Sequence, residues 1–187
     1  MISLYFTFWL FVIFFGLAGA MRGWAKELLV TFSVLLAIFI ITILERFAPF
    51  LTNFADTTSV AVGIPLDFWL RSIIIILFTF FGYQTPRLSR FPAAKVTRER
   101  AQDVVLGVII GGINGYMVIG SIWYFLHQIG YNLNPTILQH ISPPNGGSEI
   151  GIKTLELIQA LPPALLVVPW IYFIIAIAFA FVVIVFV

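Results

Sequence analysis

The chain has no cysteine, and that absence removes disulfides, thiolate metal sites, iron-sulfur centres and cysteine nucleophiles at once. Charge is scarce too: Asp, Glu, Lys and Arg together make up 10% of the residues, well below the share in an ordinary soluble domain. No Ser-His-Asp order, phosphate-binding loop, dinucleotide fingerprint or His-Glu-x-x-His occurs, so catalysis has no residues to stand on and the protein reads as a non-enzyme. The net charge of +2 is small and the basic residues fall near the ends of apolar runs, which sets nucleic acid aside as a partner.

What the sequence does hold is apolar surface. Of 187 residues, 61% are hydrophobic and 17% aromatic, and the mean hydropathy is +1.07, so water cannot be the solvent for most of the chain. A helix crosses about 30 Å of hydrocarbon with roughly 20 apolar residues, and several runs reach that length. The first is Ile2 to Met21. Its Ala18-Gly19-Ala20 mimics a signal-peptide cleavage site, but no basic residue precedes the apolar core, so the segment reads as a spanning helix. A polar turn from Arg22 to Glu27 leads into a second span, Leu28 to Leu44, which carries the tolerated hydroxyls Thr31, Ser33 and Thr42.

Glu45 to Leu66, with Pro49, Asn53, Asp56, Gly63 and Pro65, reads as an interfacial loop with a short amphipathic piece. The third span runs from Asp67 to Tyr83. Asp67 and Arg71 share one face at its entrance, a pair worth only about 0.3 to 0.5 kcal/mol if exposed. Gln84 to Gln102 holds half the positive charge as Arg87, Arg90, Lys95, Arg98 and Arg100, and Val104 to Leu126 follows as the fourth span. A polar loop from His127 to Ala160 contains an expected amphipathic helix at Ile150 to Leu161, and Leu165 to Val187, with Pro169 near its start, is the fifth span.

The expected fold is therefore all-α, a polytopic transmembrane bundle of five spanning helices. A four-helix membrane domain covers 1–126, a loop region 127–164 and a C-terminal helix 165–187. Basic residues in short loops stay on the cytoplasmic side, so Arg22, Lys26 and the stretch between helices three and four place the N-terminus outside and the C-terminus inside. Residues 127–160 then face outward.

Two patterns stand out. In the first, Gly16 to Glu27, a glycine-rich helix end passes into Arg22-Gly23-x-x-x-Glu27. Gly19 and Gly23 strip one face for close helix approach, Arg22 and Lys26 meet lipid phosphates, and Glu27 caps or pairs with a basic neighbour. An anchored helical hairpin is the plain reading; a substrate or ion site is the rival. In the second, Asp103 opens a helix in which Gly107, Gly111 and Gly115 recur every fourth residue, which marks a helix-helix interface. Asn114 sits on that helix near mid-depth, where an amide needs a partner: either it bonds to another helix or it lines a polar pathway.

Together and in this order, Arg22, Gly23 and Glu27 followed by Asp103, Leu106, Gly107, Gly111 and Gly115 resemble the colicin V production protein (CvpA) family of bacterial inner-membrane proteins. The resemblance covers about Ile2 to Leu126. It implies a small multi-helix membrane protein required in toxin production or export and linked to envelope homeostasis, with no established reaction. The long loop and fifth helix depart from the shortest family pattern.

His127 and His140 are isolated from each other, and loop or interfacial roles suit them better than pigment or metal ligation. The 20 phenylalanines exceed what interfacial belts require; lipid, partner helices or flat apolar cofactors can face them. No cofactor is expected on this chain itself, and pigment or haem would be met only through a partner complex. Expected partners are the lipid bilayer and other membrane proteins or a second copy. Three functions remain: a CvpA-type scaffold in secretion or envelope upkeep, an accessory subunit of a larger respiratory or photosynthetic complex, and a small transporter or channel.

Overall fold

The computed structural model describes residues 3–48, 65–84, 100–131, 133, 144 and 146–186. Seven helices form there: α1 (Leu4–Arg22), α2 (Trp24–Phe47), α3 (Leu66–Gln84), α4 (Arg100–Gln128), α5 (Glu149–Gln159), α6 (Pro162–Leu165) and α7 (Trp170–Phe186). No strand occurs among the described residues, and the protein is an all-α polytopic bundle. Four helices are long and apolar enough to cross a membrane, Leu4–Arg22, Trp24–Phe47, Leu66–Gln84 and Ala101–Gln128, and Trp170–Ile184 is a shorter apolar one.

The runs become helices because a bilayer leaves no other way to satisfy backbone polar groups within one segment. Their order in space follows from where side chains are small. Gly19 of α1 lies on Gly107 and Gly111 of α4, while at the far end Phe8 stacks edge-on against Tyr116 and tilted against Trp123, so α1 and α4 run antiparallel over their length. Gly82 of α3 admits Ser33 and Val30 of α2 in the same manner. The buried residues Val30, Val34, Ala37, Ile38 and Ile41 of α2 face Phe68 and Ile75 of α3 and Met117 and Val118 of α4 in one core cluster.

At one end of α2, α3 and α4, Arg71 holds Asp67 at 2.8 Å, Glu45 at 3.1 Å and the Gln128 amide oxygen at 2.6 Å. The i,i+4 pair is thus one edge of a three-helix clasp. The region after α4 folds back on it: the Tyr116 hydroxyl donates to the Ala160 carbonyl at 2.6 Å, and Leu161 and Pro162 lie against Gly120. Ser148 caps α5, its Oγ accepting from the Gly151 amide at 3.1 Å. Ser148→Ala is expected to lower the local stability of α5 by about 1 kcal/mol, read as faster amide hydrogen exchange at Gly151 with the α4 amides unchanged.

Two boundaries differ from the sequence reading. The polar stretch Arg22 to Glu27 is not a turn: the chain leaves α1 and enters α2 across Gly23 alone, and Glu27 lies in the first turn of a helix. The apolar run Leu165 to Val187 is not one helix either. Pro169 has no amide hydrogen to donate and restricts the residue before it, so helix begins at Trp170, and 17 residues give about 25 Å of length. The basic residues Arg87, Arg90, Lys95 and Arg98, the loop prolines Pro49 and Pro143, and His140 lie outside the described residues.

Candidate functional site

Gly23 is where the two sequence patterns meet. Its φ of 83° is open to glycine and costly for other residues, and an added Cβ would fall 2.9 Å from the Asp103 carboxylate. That carboxylate belongs to α4 yet serves α2: Asp103 Oδ1 accepts from the Trp24 amide at 3.4 Å and sits at the positive end of the α2 dipole. Gly23 also donates to the Gly19 carbonyl at 2.9 Å, closing α1, and its own carbonyl accepts from Glu27 at 3.3 Å, opening α2. One residue therefore ends one helix, starts the next and makes room for a carboxylate from a third.

The α1–α4 contact rests on absent side chains. A Cβ on Gly107 would overlap the Gly19 carbonyl, one on Gly111 would overlap the Phe15 carbonyl, and one on Gly115 would meet Phe15 Cβ at 2.7 Å. Backbones that approach this closely gain dispersion and Cα–H to carbonyl contacts, which is what holds helices together in lipid.

Behind this seam lies a polar knot. Glu27 is 0% exposed, and so is Asn114. Asn114 Nδ2 donates one hydrogen to the Glu27 carbonyl at 3.0 Å and the other to Glu27 Oε2 at 2.9 Å. Its Oδ1 accepts from the Thr31 hydroxyl at 2.7 Å, which also lies 3.0 Å from the Glu27 carbonyl, so every polar group of the amide is used. The Tyr83 hydroxyl approaches Glu27 Oε2 at 3.4 Å. Arg22 Nε lies 3.4 Å from Glu27 Oε1, near enough for charge attraction, but outside hydrogen-bonding geometry, which leaves Oε1 without a hydrogen-bond donor among the described residues.

Arg22 is held on two further sides. Its guanidinium stacks 4.2 Å from the Tyr83 ring centre and its Nη2 donates to the Tyr83 carbonyl at 3.4 Å. It therefore turns inward from the end of α1, whereas the sequence reading sends it to lipid phosphates; Lys26, exposed on α2, is free to take that role. A buried carboxylate in a bilayer is costly unless a counter-charge and hydrogen bonds meet it, and Arg22 with Asn114 supplies both.

The structure thus brings Gly19, Arg22, Gly23 and Glu27 against Asp103, Gly107, Gly111, Asn114 and Gly115. It adds Thr31 and Tyr83, which no local pattern marks: one is an ordinary hydroxyl in a span and the other an ordinary aromatic at a span's end. No group of three or more His, Cys, Asp or Glu is placed to hold a metal among the described residues.

Four long apolar helices closed around a buried ion pair define a polytopic membrane protein whose charged motif residues point into the bundle. The chain matches the family described as Colicin V production protein over residues 6–141. It belongs to that family. The matched segment carries both motifs and α1 to α4, and ends before α5. No curated protein and no solved structure matches it.

Proposed function

We propose that the protein is a non-catalytic scaffold of the bacterial inner membrane, serving toxin production or secretion, or the upkeep of the envelope. The observation that carries this reading is the division of α1 into two faces. Its inner face is fixed to α4 through backbone, while Phe6, Leu10, Ile13 and Leu17 recur with helical period on the outer face and are all exposed, with Phe14 beside them. A helix that cannot roll presents that apolar stripe in one orientation. Such a face suits lipid and also another membrane protein or a second copy of the chain.

Orientation follows from charge. Arg22 and Lys26 stand at the end of the bundle where Gly23 meets Asp103, the sequence between Gln84 and Asp103 is rich in Arg and Lys, and the positive-inside rule makes that end cytoplasmic. The N-terminus is then outside and the C-terminus inside. The chain carries no cofactor of its own; pigment or haem would come only with a partner complex.

The test is purification of the native protein from its own membranes in mild detergent, with mass spectrometry of what co-migrates and an absorption spectrum of the peak. Stoichiometric membrane companions or a defined homo-oligomer are expected. A monomer with no companion overturns the scaffold reading, and a haem or pigment spectrum in the peak replaces it with an accessory-subunit role.

A further inference from the structure

The chain beyond α4 does not stay at the charged end of the bundle. It leaves α4 at Gln128, beside the Arg71 clasp, yet Leu161 and Pro162 press on Gly120, where an added Cβ would fall 3.0 and 3.1 Å from them. Gly120 precedes Gln128 by eight residues, or about 12 Å of helix. Further on, Tyr172 packs edge-on against Phe39, about 9 Å inside Glu45, which is the α2 member of the same clasp. The stretch from Leu161 to Tyr172 therefore lies well inside the spans, and α5, about 16 Å long, runs inward from the clasp end to reach it.

α5 has two sides. Gly151, Thr154 and Ile158 are buried where the helix touches α4 and α6, whereas Glu149, Lys153, Glu156 and Gln159 recur with helical period on the other side and are all exposed. Lys153 holds Glu149 at 2.6 Å, and neither the Glu156 carboxylate nor the Gln159 amide has a side-chain partner among the described residues. Gln159 adjoins Ala160, whose carbonyl is held by Tyr116 midway along α4, so this amide is the deepest polar group of the stripe. Polar side chains at such depth in a bilayer meet other polar groups rather than lipid. The exposed side of α5 meets no other helix among the described residues that could supply them or enclose water there, so the missing wall belongs to another molecule.

We propose that two copies of the chain pair along α5 about a two-fold axis normal to the membrane. The stripe is complementary to itself. An amide both donates and accepts, so Gln159 of each copy satisfies Gln159 of the partner subunit across the axis. Lys153 reaches Glu156 of the partner subunit about one turn deeper, which sets each ammonium between two carboxylates, the second being its own Glu149. Ile152, exposed on the same side, adds apolar contact between the two helices. The pairing deepens the scaffold reading by naming a partner and a face, and it makes no use of the outer face of α1.

The test exploits the absence of cysteine, which lets one introduced thiol report alone. In native membranes holding the full-length protein, Ile152→Cys treated with copper phenanthroline is expected to give a disulfide-linked dimer, and Ile13→Cys on α1 is not. Adding Lys153→Glu should lower the Ile152→Cys dimer yield about tenfold, and the exchange Lys153→Glu/Glu156→Lys should restore it. In unsealed membranes Gln159→Cys should react with an impermeant maleimide about tenfold more slowly than Glu149→Cys at the open end of the stripe. Absence of the Ile152→Cys dimer overturns the proposal, and the scaffold reading still stands if membrane companions co-purify or if Ile13→Cys cross-links instead. Equal maleimide rates at the two positions overturn it by placing the stripe in water. So does a dimer yield untouched by Lys153→Glu in a variant that elutes as the wild type does.

Discussion

Gly111→Ala should unfold the bundle or halve its recoverable yield in detergent, whereas Gly112→Ala, one residue away, should fold at least as well as the wild type. A Cβ at 111 would run into the Phe15 carbonyl and lie 3.0 Å from Gly19 Cα, both backbone atoms, so relief requires α1 to shift as a whole away from α4. A Cβ at 112 meets nothing within 4 Å and gains alanine's helix preference of up to about 1 kcal/mol. Overpacking a tight contact costs about 1 to 3 kcal/mol where side chains can give, and more where only backbone is available to yield. Thermal midpoints followed by size-exclusion fluorescence would read the difference, and equal midpoints for the two variants would sink the close-contact account of α1 and α4. The same measurement on Gly19→Ala should repeat the loss, since that Cβ overlaps the Gly107 carbonyl.

Glu27→Leu is expected to be the most damaging change outside the glycines. It leaves the Arg22 guanidinium without its counter-charge and removes the acceptor of one Asn114 hydrogen and of the Tyr83 hydroxyl. Breaking one side of a buried pair costs about 3 to 5 kcal/mol, while replacing both sides by apolar groups is often neutral. The sign of the double variant is therefore informative. Arg22→Met/Glu27→Leu should recover much of the stability that Glu27→Leu alone loses, measured as the denaturant midpoint in mixed micelles. Additive losses would mean that Glu27 is stabilised by its hydrogen bonds to Asn114 and that Arg22 contributes through Tyr83 instead.

The spans were open to sequence reading because the bilayer imposes one length and one kind of surface on any segment that crosses it, and charges then mark the ends. The spacing of Gly107, Gly111 and Gly115 is equally visible, though the sequence does not say which helix lies on it; α1 does. Glu27 and Arg22 misled for a physical reason. Four polar or small residues around a glycine look like a solvated turn, but a glycine at positive φ breaks a helix in one residue, and the next turn then carries its carboxylate inward. Thr31 and Tyr83 were hidden for another reason: their hydroxyls matter through neighbours 83 and 56 residues distant in the chain, and no local spacing encodes such meetings.

The single-residue junction at Gly23 also sets how much of the chain its contacts need. With no loop between them, α1 and α2 are tied at one charged end by a single residue, and the Trp24 amide there finds the Asp103 carboxylate only with α4 in place. Gly19 meets Gly107 and Gly111, and Glu27 meets Asn114, only where α4 joins the first two helices, so the smallest unit that holds these contacts is the trio α1, α2 and α4 rather than any single helix.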